Sequence, residues 1–287
     1  MATYLNPKND IAFKKLFGDM AHKDIVISFL NSILERKEGR KIIDVTINDP
    51  NNLPETNSPE EQSKSSIVDV RCTDQLKNQY IIEMQVATQK YYAIRAQYYS
   101  TLAFSRQLGE KERYDTLLPV IFVGVLDFNL FDDDDYLCHN LIIDTKTQVQ
   151  KFNCLEFHIL ELKKFKKKLE ELTTLAEKWI YFLSNAHEQN KVPDNLVELK
   201  EAFLVLNKTN WEIKELNEYE LALDRMRSEA GKIDFATEKG IEIGKAEGEK
   251  NTQVKIAKQL LGVLDVETIA EKTGLDIETV KKLKLEQ

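Results

Sequence analysis

The sequence predicts an α/β fold in which a mixed sheet is flanked by helices and followed by a mostly helical C-terminal region. In residues 1–165, strand-like segments are interspersed with segments whose apolar residues recur every three or four positions. Residues 163–234 then keep a helical pattern, with a break at Val192-Pro193. The order helix, strand, hairpin, helix, strand is typical of a sheet with helices on its faces.

The N-terminal segment, residues 7–36, predicts helix, with Asn9 or Asp10 as its cap. Residues 41–47 alternate like a strand. The polar, proline-containing stretch 51–66 predicts a long excursion of the chain and not a linker between domains. Two helical apolar stripes support the first prediction: Ile11, Phe13, Leu16 and Phe17, then Ile25, Phe29, Leu30, Ile33 and Leu34.

A β-hairpin is the next predicted element. Residues 66–72 and 79–86 have strand patterns and are joined by the polar turn 74–78. Four elements follow it: a tyrosine-rich helix over 88–108, a fully buried strand over 117–126, and weaker strands over 141–143 and 157–160.

The C-terminal segment has glycine at every fourth position, at Gly240, Gly244 and Gly248. In one interpretation, these glycines share one face of a helix and let another helix approach closely. In the alternative interpretation, the segment is a flexible charged connector. Two short helices broken at Thr273-Gly274-Leu275 have the layout of a helix-turn-helix. The predicted regions are a core over 1–165, a helical region over 166–235 and this tail over 236–287.

The composition is that of a soluble globular protein, with 42% hydrophobic and 31% charged residues among 287. The longest apolar run, residues 117–126, is far shorter than the roughly 20 residues that span a bilayer. The N-terminus has no signal-peptide pattern. Three cysteines without a CxxC pair suit a reducing cytosol. We therefore expect a cytoplasmic protein with no membrane partner, disulfide framework or structural zinc.

The net charge of −8 argues against a protein that coats nucleic acid by bulk attraction. Residues 1–100, however, carry 13 basic and 13 acidic side chains, so local basic surface is compatible with the acidic total. The sequence has no GxxxxGK[ST], GxGxxG, GxSxG or HExxH motif, and we expect no nucleotide cofactor.

The predicted hairpin contains the candidate site residues. Asp69 interrupts its first apolar strand, and Glu83 and Gln85 interrupt the second on one shared face. A turn centred near Leu76 places Asp69 opposite Glu83, with Cβ atoms ~5 Å apart. Two carboxylates that close repel each other unless a proton or cation lies between them, and Mg²⁺ or Mn²⁺ suits such oxygen ligands. On spacing alone, a polar face of an edge hairpin without an ion is the favoured interpretation.

Asp69, Glu83-Met84-Gln85 and the flanking helices resemble the PD-(D/E)XK nuclease superfamily. The transposase-like branch of recombination-promoting (Rpn-type) nucleases is the most similar part of it. Further short motifs carry the resemblance over nearly the whole chain: the segment from Asn9 to Gly18, Asp69-Val70-Arg71, Arg95 to Tyr99, and the glycine-spaced tail.

The resemblance implies a restriction-endonuclease-like core and a role for each matching position. Asp69, Glu83 and the Met84 backbone carbonyl would hold the metal ion. Asp10 matches a further acidic position, although a plain helix cap explains it equally well. Gln85 occupies the position at which the superfamily more often has lysine. The resemblance therefore does not assign the side chain that supplies the positive charge of this lysine.

The cation could come from Lys14 or Arg95 on the neighbouring helices. Arg95 and Tyr98 lie three residues apart on one helical face and, with Lys14, are candidates for contacting DNA phosphates. Packing against the sheet explains most of the other tyrosines of that helix.

The expected function is therefore metal-dependent hydrolysis of DNA phosphodiesters, with DNA as partner and Mg²⁺ or Mn²⁺ as cofactor. A homodimer formed through the tail would place two sites on opposite strands of a duplex. Two alternatives remain: an inactive DNA-binding or mobile-element accessory protein on the same fold, and a protein-interaction scaffold built on the helical region.

Overall fold

The computed structural model describes residues 3–36, 39–48, 69–108 and 113–285. The predicted excursion over 51–66 lies outside these residues. Within them, six strands form one mixed sheet in the order β1-β2-β3-β4-β6-β5, which confirms the predicted fold class. The strands are β1 Val45–Asn48, β2 Val70–Asp74, β3 Gln79–Gln85, β4 Val120–Leu126, β5 Leu137–Leu141 and β6 Leu155–Glu161.

The hairpin β2–β3 is fixed by the side chain that ends its first strand. Asp74 Oδ1 accepts hydrogen bonds from the backbone N–H groups of Leu76 and Asn78, at 2.8 and 2.9 Å. These bonds close a tight polar turn and set the antiparallel register, in which Val70 lies opposite Ile82. The strands are antiparallel from β1 to β3 and parallel from β3 through β4 to β6, and the edge strand β5 is antiparallel to β6.

Strand β4 is buried at all seven positions because side chains of the protein cover both faces of the sheet. Ile121, Val123 and Val125 point into a core on one face, and Val120 and Phe122 point into a core on the other. The helices are α1 Asp10–Phe17, α2 Lys23–Ile33, α3 Tyr92–Ser105, α4 Leu175–Asn185, α5 Lys200–Leu206, α6 Ile213–Leu260, α7 Val266–Thr273 and α8 Ile277–Leu285.

The core of the first face joins early and late parts of the chain. Asn9, not Asp10, caps α1 by accepting a hydrogen bond from the Ile11 N–H at 3.0 Å. Trp179 of α4 packs edge-on against Phe29 of α2, with 5.6 Å between ring centroids. Helices beyond residue 165 share this core, and packing groups Met1–Met226 as one compact unit.

The second compact unit is Arg227–Gln287. The glycine-spaced segment within it is helical, and no other group of the described residues lies within 4 Å of a Cβ built at Gly240, Gly244 or Gly248. Helices α7 and α8 meet at Gly274, which has the left-handed φ of 74°. Their small core comprises Ala257, Ile269, Ala270, Leu275, Val280 and Leu283.

The strand predicted over residues 141–143 is wrong in position, since β5 occupies Leu137–Leu141. Ile142 and Ile143 are 46% and 41% exposed, so their apolar character does not mark a buried strand. No helix in the described part of the chain is both long enough and apolar enough to span a bilayer.

Candidate active site

Two carboxylates face each other where the hairpin opens. Strand β2 begins at Val70, opposite Ile82, so one further step of the register sets Asp69 across from Glu83. The Met84 backbone N–H donates a hydrogen bond of 2.7 Å to Asp69 Oδ2 and so holds the carboxylate against β3. The sequence spacing predicts this arrangement, because 69 and 83 are equidistant from the turn at Leu76.

Burial raises the pKa of both carboxyl groups. Removal from water raises the pKa of Asp69 to about 6, against the lowering effects of the Met84 N–H and of Lys14. Burial, followed by the charge of Asp69, raises the pKa of Glu83 to about 7, while Arg95 acts in the opposite direction. A bound cation would act against burial and lower both pKa values, since it favours the ionised form of both groups.

Two cationic side chains approach the pair from helices of different parts of the chain. Lys14 Nζ of α1 lies 4.0 Å from Asp69 Oδ1 and 3.5 Å from Asp10 Oδ2. A guanidinium nitrogen of Arg95, on α3, lies 3.9 Å from Glu83 Oε1. Both cations are more than one third exposed, so they can also reach a ligand that arrives from solvent.

Asp10 lies beside this pair and does not pack against it. Its side chain is 55% exposed and pairs with Lys14 one helical turn further along α1. Its charge is close enough to oppose ionisation of Asp69. Because Asn9 caps the helix, Asp10 is free of that structural role.

Gln85 ends β3 on the same face as Glu83. Its side-chain amide donates a hydrogen bond of 3.3 Å to the carbonyl of Ala87. Its backbone carbonyl accepts from the Asp127 N–H at 2.9 Å, on the β4 side of the strand. Successive carbonyls of a strand point to opposite sides, so the Met84 carbonyl points to the side of β3 on which β2 lies.

Tyr98, a candidate phosphate contact, is 52% exposed and packs edge-on against Tyr99, with 5.4 Å between ring centroids. The Arg95 guanidinium lies over the same Tyr99 ring, at 5.6 Å from its centroid. Tyr98 therefore borders the site without contacting Asp69 or Glu83.

Sequence reasoning missed an ion pair near the end of β4. Lys8 Nζ lies 3.0 Å from Asp127 Oδ2, with both side chains less than one fifth exposed. Asp127 immediately follows the apolar strand, which is the signal that could have identified it.

The donors available to a metal ion are oxygen atoms. The described residues contain no cluster of three or more His, Cys, Asp or Glu side chains placed to hold a metal. Two carboxylates and the backbone carbonyl of Met84, the residue after Glu83, are nevertheless a hard, all-oxygen set that suits Mg²⁺ or Mn²⁺. The buried, mutually repelling pair fits a divalent cation.

The mixed sheet flanked by helices, with paired carboxylates at the open end of a hairpin, is consistent with a nuclease-like fold, and the family comparison supports that class. The chain belongs to the PD-(D/E)XK nuclease family transposases, whose family model matches residues 7–236. The family implies a DNA substrate, and PD-(D/E)XK nucleases generally use divalent metals. Among curated proteins and among solved structures, nothing matches the chain significantly.

Proposed function

We propose that this protein is a divalent-metal-dependent DNA endonuclease that hydrolyses phosphodiester bonds. One observation carries the proposal: Asp69 and Glu83 face each other with side chains only 17% and 12% exposed, and a bound cation would offset the cost of ionising both. The family membership supports the same reaction class.

Asp69, Glu83 and the Met84 carbonyl are the proposed ligands of Mg²⁺ or Mn²⁺. When bound there, the ion would lower the pKa of its coordinated water and offset negative charge that develops on the scissile phosphate. The Met84 N–H keeps the Asp69 carboxylate in a fixed orientation, so the ligand set is formed before the ion arrives.

Lys14 is the proposed substitute for the usual motif lysine. Gln85 occupies that position, and a neutral amide can orient a water molecule by hydrogen bonding but cannot supply positive charge. Lys14 Nζ lies 4.0 Å from Asp69 Oδ1. An ammonium group can also exchange a proton, whereas the guanidinium of Arg95 stays protonated.

Arg95 and Tyr98 are the proposed contacts to phosphates beside the scissile one, with Arg95 held at the site by Glu83 and Tyr99. Asp10 is a proposed auxiliary acid that keeps Lys14 in place. A cytoplasmic location is part of the proposal, and three free cysteines suit its reducing environment.

The test is incubation of the purified protein with supercoiled plasmid in Mg²⁺, Mn²⁺, Ca²⁺ or EDTA. We expect nicking in Mg²⁺ or Mn²⁺ and none in EDTA. Asp69→Asn and Glu83→Gln should abolish nicking, and Asp134→Asn, which changes an exposed loop carboxylate, should leave it unchanged. Nicking by either site variant at the wild-type rate would contradict the assignment.

The runner-up is a DNA-binding protein that has lost catalysis. One contact favours it: the Gln85 amide is engaged with its own chain at Ala87 rather than directed toward Asp69 or Glu83. DNA binding in a gel-shift assay, without nicking under any metal condition, would support this second function.

We also propose that the C-terminal unit pairs two chains. The glycine positions of α6 meet no neighbour among the described residues, so a second helix can approach there closely. Residues 251–287 carry 6 basic and 6 acidic side chains, which disfavours phosphate binding by this segment. Truncation after Asp234 should give a monomer by light scattering with an almost unchanged salt dependence of DNA binding. A dimeric truncated protein, or a collapsed salt dependence, would contradict the proposal.

A further inference from the structure

Tyr92, in the first turn of α3, is buried against the sheet beside the candidate site. It is 1% exposed. Its ring packs edge-on against Phe122 and Phe128, with centroids 6.4 and 6.1 Å away. Two aromatic neighbours leave the ring little freedom, so the position of its hydroxyl is set by packing.

The hydroxyl of Tyr92 lies directly over Gly124. A Cβ atom built at Gly124 would be 2.5 Å from the Tyr92 oxygen, which is closer than any side chain allows. Glycine at this point of β4 is therefore what lets the hydroxyl approach the strand. Gly124 is paired with Glu83 in the parallel register of β3 and β4. Neighbouring strands lie ~4.8 Å apart, which is within the reach of a glutamate side chain.

The hydroxyl has no hydrogen-bond partner among the described residues. A buried hydroxyl without a partner destabilises the folded state, so its retention needs a reason. A tyrosine hydroxyl keeps its proton at neutral pH, so this group is an unpaired hydrogen-bond donor.

The residue directly before α3 has a strained backbone conformation. Tyr91, directly before the helix, has a φ of 68° in the left-handed region that favours glycine. Strained residues of this kind persist where the surrounding structure holds them, and they cluster at functional sites. Here the strained residue directly precedes the first turn of the helix that carries Tyr92.

We propose that Tyr92 is a positioning residue that donates its hydroxyl hydrogen bond to the Glu83 carboxylate when that carboxylate ligates a metal ion. A carboxylate that ligates a metal ion is a charged acceptor, and here it lies next to an unpaired donor. The bond fixes one carboxylate oxygen and leaves the other for the ion. This inference rests on the proposed metal site.

The experiment is calorimetric titration of the full-length protein with Mn²⁺ in the absence of DNA. Tyr92→Phe removes the hydroxyl and keeps the ring. We expect it to weaken Mn²⁺ binding roughly 10- to 100-fold, the usual effect of losing a partner that orients a metal ligand. Its urea midpoint without metal should be unchanged or higher, because an unpaired buried group is removed.

Tyr80→Phe is the matched control. Tyr80 is also buried in the sheet, but its hydroxyl donates to Asp74 Oδ2 at 2.9 Å, at the turn end of the hairpin. This variant should lose stability and keep the wild-type affinity for Mn²⁺. Gly124→Ala should weaken Mn²⁺ binding by displacing the hydroxyl, and combining it with Tyr92→Phe should add little further loss.

The outcomes separate the two proposals. Wild-type protein that binds Mn²⁺, loses it in Glu83→Gln and keeps it in Tyr92→Phe would overturn the role of Tyr92 alone. Wild-type protein that binds no Mn²⁺ would overturn the metal site and the role of Tyr92 together. A lower urea midpoint for Tyr92→Phe with unchanged Mn²⁺ affinity would assign the hydroxyl to folding.

Discussion

Replacing Glu83 with glutamine should stabilise the metal-free protein at alkaline pH. Burial and the nearby Asp69 charge disfavour the ionised form of Glu83 and raise its pKa to about 7. Above that pH, the folded state must hold a charge that the unfolded chain exposes to water. The amide of Glu83→Gln has nearly the same shape and carries no charge, so this destabilisation disappears.

The size of the effect follows from the pKa. One pKa unit corresponds to about 1.4 kcal/mol, so a rise from 4.5 to about 7 makes ionised Glu83 cost the folded state about 3 kcal/mol. Below pH 4.5, Glu83 is protonated in both states and contributes nothing. The wild-type protein should therefore lose this stability as the pH rises from 4.5 to 7, and Glu83→Gln should not.

Urea unfolding followed by tryptophan fluorescence measures the difference. Trp179 and Trp211 are both buried in the unit Met1–Met226 that contains the site. In EDTA, we expect Glu83→Gln to exceed the wild-type free energy of unfolding by about 3 kcal/mol at pH 8 and to match it at pH 4. Asp134→Asn is the control and should change neither value.

Added metal should reverse the order of the two proteins. Mg²⁺ at a concentration about 1,000 times its Kd stabilises a folded state by about 4.1 kcal/mol, which exceeds the cost of ionised Glu83. Wild type should gain this stability, whereas Glu83→Gln, which lacks one ligand, should gain little. A Glu83→Gln protein that is less stable than wild type in EDTA at pH 8 would refute the reasoning, because it would mean that Glu83 stabilises the fold without metal.

The remaining predictions concern substitutions at single residues. Gln85→Ala should slow plasmid nicking by about 10²–10⁴-fold, and Gln85→Lys should be tolerated; an unchanged rate for Gln85→Ala would remove Gln85 from water orientation. Lys14→Met should slow single-turnover nicking at least ~10²-fold and Lys14→Arg should restore part of the rate, whereas equal rates for both variants would argue against a role for positive charge there. Gly274→Ala should destabilise the unit Arg227–Gln287 by about 1–2 kcal/mol in hydrogen exchange, because alanine is strained at φ 74°. Gly231→Ala, in the open middle of α6, should instead stabilise that helix by about 0.5–1 kcal/mol, and equal effects at the two glycines would contradict the conformational argument.

The hairpin shows how far sequence can determine a site. Its register depends on one short turn closed by Asp74, so fewer than twenty residues decide that Asp69 faces Glu83. Alternating apolar residues then set which face the carboxylates share. The hydrogen bonds of this turn join residues that are close together in the sequence. The turn can therefore be predicted from a short stretch of sequence without knowledge of the tertiary structure.

The surroundings of the carboxylates could be predicted only in part. Lys14 and Arg95 are visible as charges on predicted helices, but their distances to Asp69 and Glu83 depend on how α1 and α3 pack on the sheet. The sequence pattern predicts the wrong position for the edge strand β5 for a related reason. Pairing with β6, and not the apolar character of the residues, decides where this strand lies.

The sequence by itself determined the α/β class, the hairpin and the pair Asp69 and Glu83, because each depends on periodicity or on a turn within a short segment. Only the tertiary structure decided that helices beyond residue 165 complete the first core, and that the Tyr92 hydroxyl rests over Gly124 beside Glu83. Those contacts join segments tens to more than a hundred residues apart. Their geometry comes from close packing of many side chains at once, which no local pattern encodes.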